Sequence, residues 1–278
     1  MIINNGRMFP AEIEMWPAEY VEGLGVVFAR FDATTQDSGN VSYGVKAPAG
    51  RYFVKTAGDP TDQAPYLDFD GRVALLRNAV RLAEAVPHPL LPELHAVIES
   101  PGGPVLVYEW REGEHLGTTR EQRDDPATAY QRFRALPAEQ ILKALDEVFD
   151  LHAKLTSAGW VEGDFYDGCL LYDFGARRLT VLDLDTYHFG AYRNEMGRMF
   201  GASRFMAPEE YSLGAPIDER TTTFVMARTV FVLLADGTLE REALRGSDAI
   251  YAVVQEAVTT RFPSYDAFYQ AWLAARQT

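Results

Sequence analysis

Only one cysteine, Cys169, occurs in the 278 residues. A single thiol permits neither an internal disulfide nor a cysteine-rich zinc site. Positive charge is also scarce, with 26 Lys and Arg against 40 Asp and Glu and a formal charge of −14. That balance repels phosphate backbones and anionic lipid surfaces, and no local basic patch reverses it, so neither nucleic acid nor membrane is expected as a partner. Long apolar runs are missing: none approaches the roughly 20 residues that a membrane-spanning helix needs. The first residues carry Glu12 and Glu14 where a signal peptide would be apolar, and a soluble cytoplasmic protein is expected. There is no internal repeat or low-complexity tract, and the most polar stretch, 118–128, reads as a surface loop. Core material is plentiful, at 47% hydrophobic and 12% aromatic residues. This suffices for one large domain or two smaller lobes.

Patterning divides the chain into two textures. Period-two alternation predicts strands at 26–31, 41–46 and 51–55, the last two flanking the turn Pro48-Ala49-Gly50 as a hairpin. Val73, Leu76, Val80 and Ala83 recur at helical spacing and stop before Pro87. Strands at 93–99 and 105–109 follow, separated by Pro101-Gly102-Gly103. Beyond Arg111-Glu112-Gly113 the spacing turns helical, with Ile141, Leu145, Val148, His152 and Leu155 on one face of a long helix. A short hairpin (169–172 and 179–182, turning at Gly175) and helices near 219–235, 239–258 and 264–277 complete the reading. The expected class is α+β: a five-stranded N-terminal lobe with one helix at 1–108, a hinge at 109–113 and a larger helical lobe at 114–278. A cleft between two lobes is where a ligand is expected.

Six short motifs carry the chemistry, in the order Phe53-Val54-Lys55, His88-Pro89, Leu106-Val107-Tyr108-Glu109-Trp110, Glu162-Gly163-Asp164, Val181-Leu182-Asp183 and Met206-Ala207-Pro208-Glu209. Their order and spacing resemble the protein-kinase-like superfamily over about residues 26–272. The chain is most similar to bacterial serine/threonine-kinase-like proteins whose catalytic loop reads as Asp164-Phe165-Tyr166-Asp167-Gly168 does here. The resemblance implies a bilobal kinase-like fold, ATP and Mg²⁺ as cofactors, and transfer of the γ-phosphate to a hydroxyl of a protein serine or threonine or of a small molecule.

Phosphoryl transfer asks a protein to position phosphates, neutralise their charge and orient an acceptor hydroxyl. Lys55, taken as an exposed cleft lysine, would reach the α- and β-phosphates; read alone it could be a snorkelling edge-strand lysine. Asp164 would accept or orient the hydroxyl proton, or serve merely as a turn residue. Asp183, ending an apolar strand, would be a buried carboxylate holding Mg²⁺ or a structural ion pair. Asp185, two residues further on an extended chain, would face the same side and add a second metal ligand. Ser38, Gly39 and Asn40, after Asp37, would offer amides and short polar groups to phosphate. By the resemblance, the Glu109 carbonyl and the Arg111 amide hold adenine, Tyr108 guards the pocket behind it, and Glu209 and Arg261 form a buried bidentate pair.

Departures from the family pattern open a second reading. Glu162 and Gly163 replace a histidine and an arginine, Cys169 replaces a metal-binding asparagine, Ala79 falls where the lysine's glutamate partner is expected, and only Gly39 remains of a glycine-rich loop. Asp183-Leu184-Asp185 replaces Asp-Phe-Gly, and Thr222 replaces a lower-lobe aspartate. Tyr166 and Asp167 stand where a phosphate-contacting lysine and its neighbour are usual, and could instead meet a small-molecule acceptor. The alternative is a pseudokinase, a nucleotide-binding or scaffold module without turnover. Survival of Lys55, Asp164 and Asp183 together favours an active enzyme. His152 reads as a core histidine and Cys169 as a small buried hydrophobe.

Overall fold

Alternating apolar residues build the N-terminal part of the computed structural model, which describes residues 9–34, 38–62 and 64–278. The elements there are α1 (Pro17–Leu24), β1 (Val26–Phe31), β2 (Val41–Ala47), β3 (Gly50–Thr56), α2 (Phe69–Ala85), β4 (Leu94–Ile98) and β5 (Val105–Glu109). All five strands form one antiparallel sheet in the order β1-β2-β3-β5-β4. Because Ala47 pairs with Gly50, the β2–β3 turn is the two-residue Pro48-Ala49, and Gly50 already belongs to the strand. On one face Val45, Val54, Val105 and Val107 are fully buried with Val21 of α1. On the other, Leu106 meets Ala57 and Leu76 of α2. Each such side chain contributes about 1.5–3 kcal/mol by leaving water. Asp68 caps α2 by accepting from the Gly71 amide at 2.8 Å, satisfying an orphan donor of the first turn.

The remaining chain carries β6 (Glu114–His115), α3 (Ala129–Arg134), α4 (Ala138–Ser157), β7 (Trp160–Val161), β8 (Leu170–Asp173), β9 (Arg178–Val181), β10 (His188–Phe189), β11 (Tyr192–Arg193), β12 (Pro216–Ile217), α5 (Glu219–Ala235), α6 (Asp248–Thr259) and α7 (Tyr265–Ala275). The strands form three small sheets, β6-β8-β9, β7-β10 and β11-β12. Helix α5 is buried on nearly every side from Thr221 to Ala235, the pattern of a central helix. Helix α4 buries Ile141, Leu145, Val148, His152 and Leu155, as their spacing implies.

The helix expected at 239–258 is shorter. Ser247 accepts from the Ile250 amide at 3.3 Å and starts α6 at Asp248, while Arg241–Ala243 forms only a 3₁₀ turn. The polar Ser247 side chain outcompetes continuation of the helix across Gly246.

The molecule is thus mixed α+β, with a five-stranded antiparallel sheet and, among the described residues, seven α-helices. The chain divides into two compact units, Met1–Arg111 and Glu112–Thr278, the boundary falling within 109–113. Among the described residues no helix is long and apolar enough to cross a membrane.

Candidate functional site

In the second unit, two loops are brought side by side by the β8–β9 hairpin. Leu170 pairs with Val181, and the Leu182 amide donates to the Cys169 carbonyl at 2.8 Å, so the end of the 164–169 loop adjoins Asp183. A Cβ at Gly163 would run into the Thr186 carbonyl, which shows how closely the 183–187 segment approaches from the other side. Only glycine permits that approach.

Asp164 lies between these segments. Its Oδ1 is buried with no hydrogen-bond partner among the described residues. Burial first, then the neighbouring charges of Asp183 and Asp185, push its carboxyl up to about 7, with the Arg198 guanidinium pulling the other way. Such a group shares its proton near neutral pH, a property of general bases. Asp183 and Asp185 thus lie near enough to Asp164 for their charges to raise its proton affinity.

Asp183 and Asp185 differ from expectation in their setting. Asp183 is exposed rather than buried and takes a left-handed backbone with φ 63°. Aspartate tolerates this region better than most residues, yet it interrupts the extended chain, so strand alternation no longer applies. Asp185 is only 6% exposed, so the two carboxylates differ in their access to solvent.

The rest of the loop is committed to structure. The Cys169 thiol is buried and donates to the Asp164 carbonyl at 3.3 Å. Burial and the Asp164 charge hold that thiol well above its usual range, so it remains protonated and is a poor Mg²⁺ ligand. The Tyr166 ring folds over Gly168, where any Cβ would collide with it. Asp167 is 2% exposed and accepts from Arg204 Nη2 at 2.5 Å, while Arg204 Nη1 donates to the Tyr130 hydroxyl at 2.9 Å. Asp167 is therefore spent on an internal ion pair and is not presented to an acceptor.

A group of acids surrounds the N-terminus of α5. Thr222 accepts from the Glu162 amide at 3.3 Å, so a hydroxyl anchors the loop from this helix. Thr221 donates to Glu209 Oε1 at 2.9 Å, and Arg261 grips both Glu209 oxygens at 3.1 and 2.9 Å. The bidentate pair expected from the sequence forms, but its side chains are 22% and 19% exposed, so it is only partly desolvated. Beside it, Glu210 is 2% exposed and accepts from the Ala207 amide at 2.5 Å. Glu162 is 1% exposed, accepting from the Phe165 amide at 3.3 Å through Oε2, while Oε1 has no hydrogen-bond partner among the described residues. Burial and the Glu210 charge drive the Glu162 carboxyl well above the ordinary range, and burial brings Glu210 to about 7.

His152 is a core histidine. Nδ1 faces the Val148 carbonyl at 2.8 Å and Nε2 the Tyr187 hydroxyl at 2.7 Å. A carbonyl can only accept, so Nδ1 carries a proton and donates it to Val148.

In the first unit, Lys55 stands in β3 opposite Ser42 and Leu106. It is 8% exposed, not the exposed lysine the sequence suggested. Within 38–40, polar groups serve the fold: the Asn40 amide donates to Ser38 Oγ at 3.3 Å, and Asn40 Nδ2 donates to the Thr56 and Arg72 carbonyls at 3.2 and 3.4 Å. The Gly39 carbonyl accepts from Arg72 Nη1 at 3.1 Å. Asn40 is fully buried, so this segment is an internal anchor rather than an open phosphate loop. Asp37 lies outside the described residues.

At the end of the unit, Arg111 pairs with Glu109 at 2.8 Å and donates to the Leu91 carbonyl at 3.4 Å. It lines a cavity of about 490 Å³ with His88, Pro92 and Leu94. Tyr108 is half-buried against the Leu106 and Leu76 cluster.

Sequence reasoning missed Arg72, Arg198, Arg204 and Glu210. Arg72 is 1% exposed on α2, and its only sequence signal is a charge on a face otherwise apolar by period. Glu210 follows Glu209 directly and reads as one more acid. Arg198 and Arg204 lie in an irregular stretch with no periodicity to orient them. Comparison of the chain with protein-family models gives no match, and comparison with curated proteins gives no similar relative.

Proposed function

We propose that the protein is an ATP-dependent phosphotransferase of kinase-like bilobal fold, passing a γ-phosphate to a hydroxyl of a protein serine or threonine or of a small molecule. The observation that carries this reading is Asp164, a carboxyl with a buried oxygen that has no hydrogen-bond partner among the described residues and a proton affinity brought to about 7 beside Asp183 and Asp185. An acid of that kind can orient an acceptor hydroxyl and take its proton. Lys55 is assigned to the nucleotide phosphates, and Glu109 and Arg111 to the base, on the resemblance alone.

Asp183 and Asp185 would hold Mg²⁺, whose chemistry is to offset charge on the phosphate oxygens. Two hard carboxylates suit an ion that normally keeps water and substrate phosphate as its other ligands. Among the described residues no group of three or more His, Cys, Asp or Glu is placed to hold a metal ion, so Mg²⁺ here would need its other ligands from water and phosphate. The exposed setting of Asp183 and the protonated Cys169 favour the second reading, a nucleotide-binding pseudokinase.

Thermal shift with Mg²⁺-ATP, paired with an ATP-consumption assay across protein and small-molecule acceptors, separates the two. Turnover abolished by Asp183→Asn and strongly weakened by Lys55→Met is expected. A thermal shift with no turnover would establish the pseudokinase, and no shift at all would overturn both readings.

A further inference from the structure

The polar loop beside Asp164 contains no cation. Between Glu162 and Cys169 stand Asp164, Tyr166 and Asp167, and the adjoining segment adds Asp183 and Asp185. A phosphate group entering this environment meets only like charge from these carboxylates, and Coulomb repulsion between groups a few ångströms apart is severe in a partly buried setting. Mg²⁺ on Asp183 and Asp185 would offset part of that charge, and a positive side chain from elsewhere in the unit would offset more.

Arg204 does not qualify, because its guanidinium is taken by Asp167 and Tyr130. Arg261 is taken by Glu209. Arg198 remains. Its Nη1 donates to the Met199 carbonyl and its Nη2 to the Gly201 carbonyl, both at 3.1 Å, and Gly201 is the residue against Asp164: a Cβ there would lie 3.0 Å from Oδ1. The arginine is therefore tied to the backbone that touches the candidate base, and its charge acts directly on the Asp164 carboxylate. It is exposed, and among the described residues it forms no ion pair. Its guanidinium is held in place by neutral carbonyls, and among the described residues no acid lies within ion-pair distance, which leaves it available to an anion.

We propose that Arg198 is the phosphate-contacting cation of the second unit, a substrate-binding residue that holds a phosphoryl oxygen beside Asp164. The inference rests on the phosphotransferase reading and adds to it the residue that offsets the carboxylates. A planar, permanently charged guanidinium suits this task, since it can give two hydrogen bonds to one phosphate.

The test is calorimetric binding of Mg²⁺-tripolyphosphate to the full chain, with folding of each variant checked by circular dichroism. Removing a charge-assisted contact should weaken binding about tenfold to a hundredfold in Arg198→Ala. Arg198→Lys should recover most of the loss, because the charge returns without the fork. Arg193→Ala is the control for net charge: Arg193 is exposed and bonds only the Gly214 carbonyl among the described residues, and its loss should leave affinity unchanged. Equal affinity in wild type and Arg198→Ala overturns the proposal even if the protein turns over ATP. Equal weakening by Arg193→Ala and Arg198→Ala overturns it as well, reducing the effect to overall charge. Absence of binding by folded wild type overturns it too. Selective weakening in Arg198→Ala with no ATP turnover by wild type upholds the arginine's role while refuting the transfer reaction.

Discussion

Replacing Glu210 by glutamine should make the protein less sensitive to alkali. Glu210 is 2% exposed, and burial raises its carboxyl from 4.5 to about 7. The Ala207 amide and Arg261 oppose that rise, while Glu209 and Asp164 add to it. A group whose folded proton affinity exceeds its unfolded one holds extra protons in the native state. Stability is then fully present at low pH and falls as pH climbs from 4.5 through about 7. The displacement corresponds to on the order of 3 kcal/mol once the carboxylate is charged. Glu162 is raised too, with Glu210 as its foremost charged neighbour, so neutralising Glu210 relieves both. Glu210→Gln keeps an oxygen to accept from Ala207 but removes the ionisation. Urea unfolding from about pH 5 to about pH 8 should show wild type losing stability and the variant losing roughly 3 kcal/mol less, or about 6 to 12 °C in Tm. Parallel curves for the two proteins would refute the reasoning, as would a wild type that gains stability across the same window.

Glu209→Ala should lower stability by about 2 kcal/mol, less than for a fully buried pair because solvent screens Arg261 in part; a melting curve matching wild type would remove the pair from the fold's support. Asp167→Ala should cost more, about 3 kcal/mol, since it strands a guanidinium whose side chain is 17% exposed, and an unchanged denaturation midpoint would disprove it.

Strand alternation at β1, β2, β3 and β5 and the limits of α5 were legible because each follows one period with few competing signals. Helices α1 and α3 were not. They span 8 and 6 residues, too short for periodicity to stand out, and depend on packing for their existence. In the candidate site, the sequence order of Asp164, Asp183 and Asp185 pointed to a shared environment. The different exposure of Asp183 and Asp185 was hidden, because it follows from one left-handed residue that no pattern announces. The commitment of Asp167 to Arg204 was equally invisible, being a contact between residues 37 positions apart. Asn40 misled for a related reason: a short polar residue beside glycine suits an exposed phosphate loop and a buried backbone anchor alike.

The Asp167–Arg204–Tyr130 network also has a bearing on how the molecule comes into being. Its members are separated by 37 and 74 positions, and the neighbouring Glu209–Arg261 pair by 52. Contacts that distant in sequence reward the chain only after long loops have closed, which slows their formation. During synthesis, the 164–169 loop leaves the ribosome well before Arg204 and long before Arg261. The loop that carries Asp164 is therefore made before the residues that complete it, so the chemistry proposed for it would be withheld until most of the second unit has been translated and packed.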